Sequence, residues 1–188
     1  MPMNAIHRRI CQSDDWARSM RSKKLPWAVG DIALDGDVLE LGPGYGITTR
    51  WLAEHGGRLT AVEVDPDLAA GLRRQFDGEV DIHQADATAL PFPDSSFDAV
   101  VCFTMLHHVP SPAQQDLLFA EAARVLRPGG VFAGSDSRVS LRFRIIHIGD
   151  TMVPVPPETL PDRLTGAGFE HASVGMGERS IRFRATAS

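Results

Sequence analysis

Four short stretches carry residues whose types and spacing could do chemistry. In "DVLELGPGYG" (37–46), Glu40 is followed by Gly42, Pro43, Gly44 and Gly46. Glycine accepts positive φ and lets a ligand approach the backbone where a Cβ would block it. In "VEVDP" (62–66), Glu63 and Val64 follow an apolar run, and a carboxylate there can accept bonds from a pair of ribose hydroxyls. In "QADA" (84–87), Asp86 could accept from the exocyclic amine of adenine, while the N–H of Ala87 could serve a ring nitrogen. His107 and His108 are adjacent; histidine titrates near neutral pH, so either is a candidate general base. The glycine spacing separates two ligand classes. A dinucleotide loop, G-x-G-x-x-G, needs its third glycine at position 47, where this chain has Ile47. The G-x-G-x-G spacing beside Glu40 disfavours a pyrophosphate.

Short apolar runs must hold these residues. "DVLEL" (37–41), "RLTAVEV" (58–64), "EVDIHQA" (79–85), "FDAVVCFT" (97–104) and "GVFAGSD" (130–136) read as buried strands of a parallel sheet. Helical signals lie between them. "ITTRWLAEH" leads out of the glycine loop; Asp65 caps a helix with Pro66 in its first turn; Ser111 and Pro112 start another, which "RPGG" (127–130) ends with a turn. "PETLPDRLTGAGF" (157–169) predicts a last helix that Pro161 shortens or enters in its first turn. In "EHASVGMGERSIRFRAT" (170–186), Ile181, Phe183 and Ala185 alternate with Arg182 and Arg184, which predicts an antiparallel hairpin turning at 175–178. Alternating strands and helices imply right-handed crossovers and an open, doubly wound α/β sheet of Rossmann-like type, closed by that hairpin. In such a sheet ligands bind at the carboxyl ends of the strands, where all four stretches fall.

The bulk numbers exclude several classes. A chain of 188 residues with 43% hydrophobic and 23% charged residues is expected to form one globular domain. A net charge of -5 gives no support for nucleic-acid binding. Cys11 and Cys102 are too far apart for metal-ligand spacing, so no disulfide framework or zinc site is indicated. No apolar window of membrane-spanning length occurs, and a reducing cytoplasm is the expected location.

"VLELGPGYG", "VEVDP", "ADATALPFPDSSFDAVVCFTMLHHV" and "EAARVLRPGG" together resemble the motifs of the class I S-adenosylmethionine-dependent methyltransferases. The resemblance is specifically to the small single-domain branch similar to ubiquinone and menaquinone biosynthesis methyltransferases. The resemblance runs from about residue 37 to 136 and implies a seven-stranded, mostly parallel sheet. It implies that the Gly42–Gly46 loop holds the methionine part of S-adenosylmethionine, with Glu40 nearby. It further implies Glu63 on the ribose, Asp86 on the adenine amine, and the backbone at Phe103 and Thr104 on the methionine ammonium.

The acceptor half is less defined. Methyl transfer from a sulfonium is an in-line displacement that needs no metal, and no metal site is expected. His107 and His108 either act as base or shape a turn. Cys102 reads as a core thiol, and Met105 and Leu106 as pocket wall or core. Segment 137–157 and the helical cap 1–36 are expected to cover the acceptor pocket, with Trp16 over the ligand or capping the sheet. Arg138, Arg142 and Arg144 could pair with an acidic substrate or form a solvated face, and His147 and Asp150 could supply acid and base groups. The expected partner is a small-molecule acceptor, with neither nucleic acid nor membrane, and the chain is expected to be a monomer or homodimer. Two alternatives remain: a non-catalytic S-adenosylmethionine binder, and an NAD-dependent dehydrogenase.

Overall fold

A computed structural model describes residues 3–188. Four helical turns come first: α1 (Ala5–Cys11), α2 (Asp14–Ser19), a π-helical turn (Met20–Lys24) and α3 (Leu25–Val29). The first two begin where side chains satisfy orphan N–H groups, Asn4 accepting from the amide of His7 and Ser13 from that of Trp16.

The sheet alternates with helices thereafter: β1 (Asp37–Leu41), α4 (Ile47–His55), β2 (Arg58–Glu63), α5 (Pro66–Phe76), β3 (Asp81–Gln84) and β4 (Phe97–Phe103). Then come a 3₁₀ turn (Leu106–His108), α6 (Pro112–Val125), β5 (Leu126–Ser137), α7 (Leu141–Ile146), α8 (Leu160–Gly166), β6 (Phe169–Met176) and β7 (Ser180–Ala187). The strand order is β3-β2-β1-β4-β5-β7-β6. The first five strands are parallel, and β7 runs antiparallel to both β5 and β6. This is the expected seven-stranded α/β sheet with a terminal hairpin.

Period-two alternation sends successive side chains to opposite faces, and both faces are covered. Leu39, Leu41, Val100 and Cys102 pack with Phe119, Phe132 and Phe183 on one side. Val38, Ala61 and Val101 pack with Met20, Leu25, Trp51 and Phe76 on the other. Fully burying a side chain such as Phe132 contributes roughly 1.5–3 kcal/mol. Cys102 is a core thiol, as its apolar strand suggests.

The register aligns the strand ends. Leu41 pairs with Val62 and Cys102, Glu63 with Gln84, and Phe103 with Ser135. The residues just past those pairs therefore lie along one edge of the sheet.

Three expectations are corrected in detail. The "RPGG" turn is not separate from the strand: β5 starts at Leu126, and the pairing slips between Phe97 and Ala99, with Gly129 at φ +78°. A bulge absorbs the extra residues. The last helix is only Leu160–Gly166, with Pro161 in its first turn, where a missing N–H costs nothing. The hairpin turns at 177–179, between Met176 and Ser180. Among the described residues, no helix is long and apolar enough to cross a membrane.

Candidate functional site

A cavity of about 370 Å³ opens at the carboxyl ends of the parallel strands, covered by residues of α1, α2 and α7. Gly42, Pro43 and Gly44 line it, with Glu63, Val64, Asp86, Ala87, Phe103 and Thr104. Each glycine of the loop has its own reason. All three adopt positive φ, +67°, +57° and +78° at Gly42, Gly44 and Gly46. A Cβ on Gly42 would lie 2.3 Å from Met105 Cγ, and one on Gly46 would lie 2.9 Å from Leu72 Cδ2. A Cβ on Gly44 meets nothing within 4 Å. Its bare backbone therefore faces open space at the cavity.

The carboxylate of Glu63, only 6% exposed, is held on both oxygens. The N–H of Gly44 donates to Oε2 at 3.0 Å and the N–H of Asp65 donates to Oε1 at 3.0 Å. Each oxygen keeps a lone pair for a further donor. Asp86 Oδ1 accepts from the amide and the hydroxyl of Thr88, both at 2.8 Å, which leaves Oδ2 for a ligand. Thr104 has φ +53°, a costly conformation for a β-branched residue, which turns the chain sharply out of β4 beside the cavity.

Glu40 and Gly46 are not on the cavity wall. Gly46 is the left-handed cap of α4 and packs on α5. Glu40 is buried one layer behind the loop, where Thr48 Oγ1 donates to its Oε1 and its Oε2 has no partner among the described residues. Burial raises its carboxyl to about 7, against the bond from Thr48, which lowers it.

Histidines dominate another part of the wall. Four of the chain's seven histidines, His7, His107, His108 and His147, line the cavity. His107 Nδ1 lies 2.5 Å from Asp136 Oδ1, and the His107 amide donates to Asp136 Oδ2 at 3.0 Å. Burial pushes the carboxyl of Asp136 up, but the charge and bonds of His107 outweigh it and hold Asp136 below its usual range. His7 Nδ1 sits 2.8 Å from Asp150 Oδ2. The Nδ1 of His147 is 2.7 Å from the carbonyl of Phe143, and that of His108 is 3.2 Å from the carbonyl of Thr151. Burial, reinforced by the other imidazoles, lowers His108 to about 3, so it is a weak base at neutral pH. Burial likewise lowers His147. Of the expected pair, His107 alone carries a buried carboxylate on its far nitrogen.

The segment 137–157 contributes Ser137, Phe143, Ile146, His147 and Thr151 to the wall. Its arginines do not take part. Arg138, Arg142 and Arg144 are exposed and off the cavity, and Arg138 donates to the carbonyls of Gly177 and Glu178. Asp150 stands behind His7 rather than on the wall, and Trp16, Met105 and Leu118 line it. Two contributors, His7 and Asp136, were not anticipated. A strand-end carboxylate beside the end of β4 is the signal that could have found Asp136; His7 sits in a helix with no distinguishing pattern.

A seven-stranded sheet of this order, with glycines and two carboxylates at successive strand ends, defines the Rossmann-like methyltransferase class. A family model described as Methyltransferase domain matches residues 39–134, just over half of the chain, and the chain belongs to that family. The Fatty-acid O-methyltransferase of Mycolicibacterium smegmatis is 38% identical over 129 residues, covering 67% of this chain and 45% of that protein. The Ubiquinone biosynthesis O-methyltransferase of Xanthomonas campestris pv. campestris is 29% identical over 133 residues, 67% of this chain and 54% of that protein. The chain thus spans about half the length of the curated relatives it matches. A SAM-dependent methyltransferase from Aquifex aeolicus superimposes with a TM-score of 0.72 at 19% identity over 97% of this chain and 98% of that one. The chain solved in complex with the Haloferax volcanii Trm112 methyltransferase activator gives 0.76 at 16% identity, covering 100% of this chain and 99% of that one.

S-adenosylmethionine is the cofactor the family implies, and the residues fit it: Gly44 presents open backbone, while Glu63 and Asp86 keep free acceptor capacity at neighbouring strand ends.

Proposed function

We propose that the chain is an S-adenosylmethionine-dependent methyltransferase that acts on a small-molecule acceptor. The observation that carries this is one cavity walled by Gly42, Gly44, Glu63 and Asp86 and also by His107, whose Nδ1 is held from behind by Asp136. In this reading Gly42, Pro43 and Gly44 hold the methionine part, Glu63 the ribose, and Asp86 and Ala87 the adenine, while Gly46 shapes the loop from behind. The backbone at Phe103 and Thr104 takes the ammonium. Glu40 acts from behind, by packing the loop on α4. The cofactor supplies a methyl group already activated on a sulfonium, so the protein's task is alignment, and proximity can remove roughly 7–11 kcal/mol of barrier.

His107 takes a proton from the acceptor when its oxygen or nitrogen must lose one. Asp136 fixes the Nδ1–H tautomer, which leaves Nε2 as the basic nitrogen. Ile10, Met20, Phe143 and Ile146 supply apolar wall, which suits an acceptor with an apolar body and one nucleophilic heteroatom. Residues 3–36 and 137–157 form the cover of one domain; Met1 and Pro2, part of the expected cap 1–36, lie outside the described residues.

The test is transfer of labelled methyl from the cofactor to an extract of small metabolites. Label in one or a few small molecules, slowed on the order of 100-fold or more in His107→Ala, is the expected result. Label only in RNA, DNA or protein would overturn the acceptor class, and no transfer at all would favour a non-catalytic binder.

A further inference from the structure

Three histidines from segments remote in sequence meet at one point of the cavity wall. His7 comes from α1, His108 from the 3₁₀ turn after β4, and His147 from the end of α7. One ring nitrogen of each lies within 4.8 Å of the other two. His7 and His147 are buried at 5% and 6% exposure.

The second sphere selects the free nitrogen. A backbone carbonyl can only accept, so Nδ1 of His147, bonded to Phe143, and Nδ1 of His108, bonded to Thr151, must carry protons. His7 Nδ1 faces the Asp150 carboxylate, which the amide and side chain of Asn4 hold in turn. Each ring therefore keeps its Nε2 lone pair. Metal-binding histidines show this pattern, donating one N–H to a carboxylate or carbonyl while the other nitrogen ligates.

His147 Nε2 also lies 3.2 Å from His107 Nε2, so its ring must turn from that contact to join His7 and His108 on an ion. Nitrogens bound at about 2.0–2.1 Å on a tetrahedral ion lie about 3.3 Å apart.

We propose that His7, His108 and His147 form a site for a divalent transition-metal ion of the zinc type, with a coordination position open to the acceptor cavity. Imidazole suits such ions, and three protein ligands with a free fourth position are the arrangement of sites that bind a substrate atom. The three nitrogens must draw together by up to about 1.5 Å to reach tetrahedral spacing. Two of them sit on short helices of the cavity cover, which makes that movement local. The acceptor's heteroatom would take the open position; this last step alone rests on the methyltransferase reading. The site departs from the expectation of no metal, because its ligands at 7, 108 and 147 form no motif along the chain.

The test uses untagged full-length protein, stripped with a chelator, titrated calorimetrically with Zn²⁺ and spectroscopically with Co²⁺, both without cofactor. One equivalent is expected, with cobalt bands of tetrahedral intensity. His7→Ala, His108→Ala and His147→Ala should each weaken Zn²⁺ binding at least about 100-fold, and Asp150→Asn by about 10- to 100-fold. The exposed His171→Ala should leave it unchanged. A wild-type far-ultraviolet spectrum and a cooperative urea transition certify that a variant is folded; His7→Gln, His108→Gln or His147→Gln replaces the alanine variant at the same position where it is not. No stoichiometric binding by the wild type, or wild-type affinity in the folded ligand variants, would overturn the site. Loss of nucleoside binding with Zn²⁺ binding intact would instead overturn the methyltransferase reading and leave the site standing.

Discussion

His107 Nδ1 and Asp136 Oδ1 lie 2.5 Å apart, with both side chains at most 3% exposed. Asp136 also accepts from the amides of His107 and Ser137. One carboxylate at the end of β5 thus fixes both the ring and the backbone of the residue that follows β4.

Replacing that carboxylate separates positioning from binding. Asp136→Asn sets an amide N–H against existing donors, so unfolding free energy should fall by about 1–3 kcal/mol. Methyl transfer should slow on the order of 100-fold, the scale of a lost general base, with S-adenosylhomocysteine affinity unchanged. Wild-type turnover in a folded Asp136→Asn enzyme would remove His107 from the chemistry.

Glu63→Ala should weaken S-adenosylhomocysteine binding by roughly 5- to 150-fold, the equivalent of about 1–3 kcal/mol for unsatisfied buried hydroxyls. Part of that loss comes from the loop, since Glu63 also accepts from Gly44. Gly44→Val should lose more, because its side chain enters open space at φ +57°. Calorimetry on folded variants decides; unchanged affinity in Glu63→Ala would refute the ribose assignment.

Much of this was legible because local pattern and strand position coincide. Glycines, Glu63 and Asp86 each terminate an apolar run, so their shared edge follows from topology alone. The hairpin declared itself through the alternation of Ile181, Phe183 and Ala185 with arginines, and all three are buried on β7. The histidine cluster was largely visible. His107 and His108 stand in a motif and His147 in the expected cover segment, whereas His7 reaches it only through packing of α1, which no local period encodes. Arg138, Arg142 and Arg144 left two readings open, and the solvated face is the one their exposure fits: charge density along the chain does not say which side of a short helix faces the cavity.

Those arginines give a prediction of no effect. The triple change to Gln should leave both the KM for the acceptor and cofactor affinity within about twofold, since all three are exposed and off the cavity. A tenfold rise in KM with unchanged cofactor affinity would return them to the substrate site.

Glu40 predicts a pH dependence of stability. Its carboxyl rises from 4.5 to about 7 on folding, so the folded chain holds a proton that the unfolded chain releases across that window. The stability this contributes is fully present below pH 4.5 and is lost as pH rises through 7, by roughly 3 kcal/mol. Glu40→Gln should abolish that component. Urea midpoints from pH 4.5 to 8 should therefore fall more steeply with pH in the wild type than in the variant, other groups cancelling in the comparison. Parallel curves would contradict the buried-carboxyl account.

The central claim is that the cavity at the strand ends is a nucleoside-sulfonium site rather than a dinucleotide site. Calorimetric titration of one protein preparation with S-adenosylhomocysteine, S-adenosylmethionine and NAD tests it most directly. The account predicts one-to-one binding of the first two, weakened in Glu63→Ala, and no measurable binding of NAD; tight binding of NAD alone would contradict it.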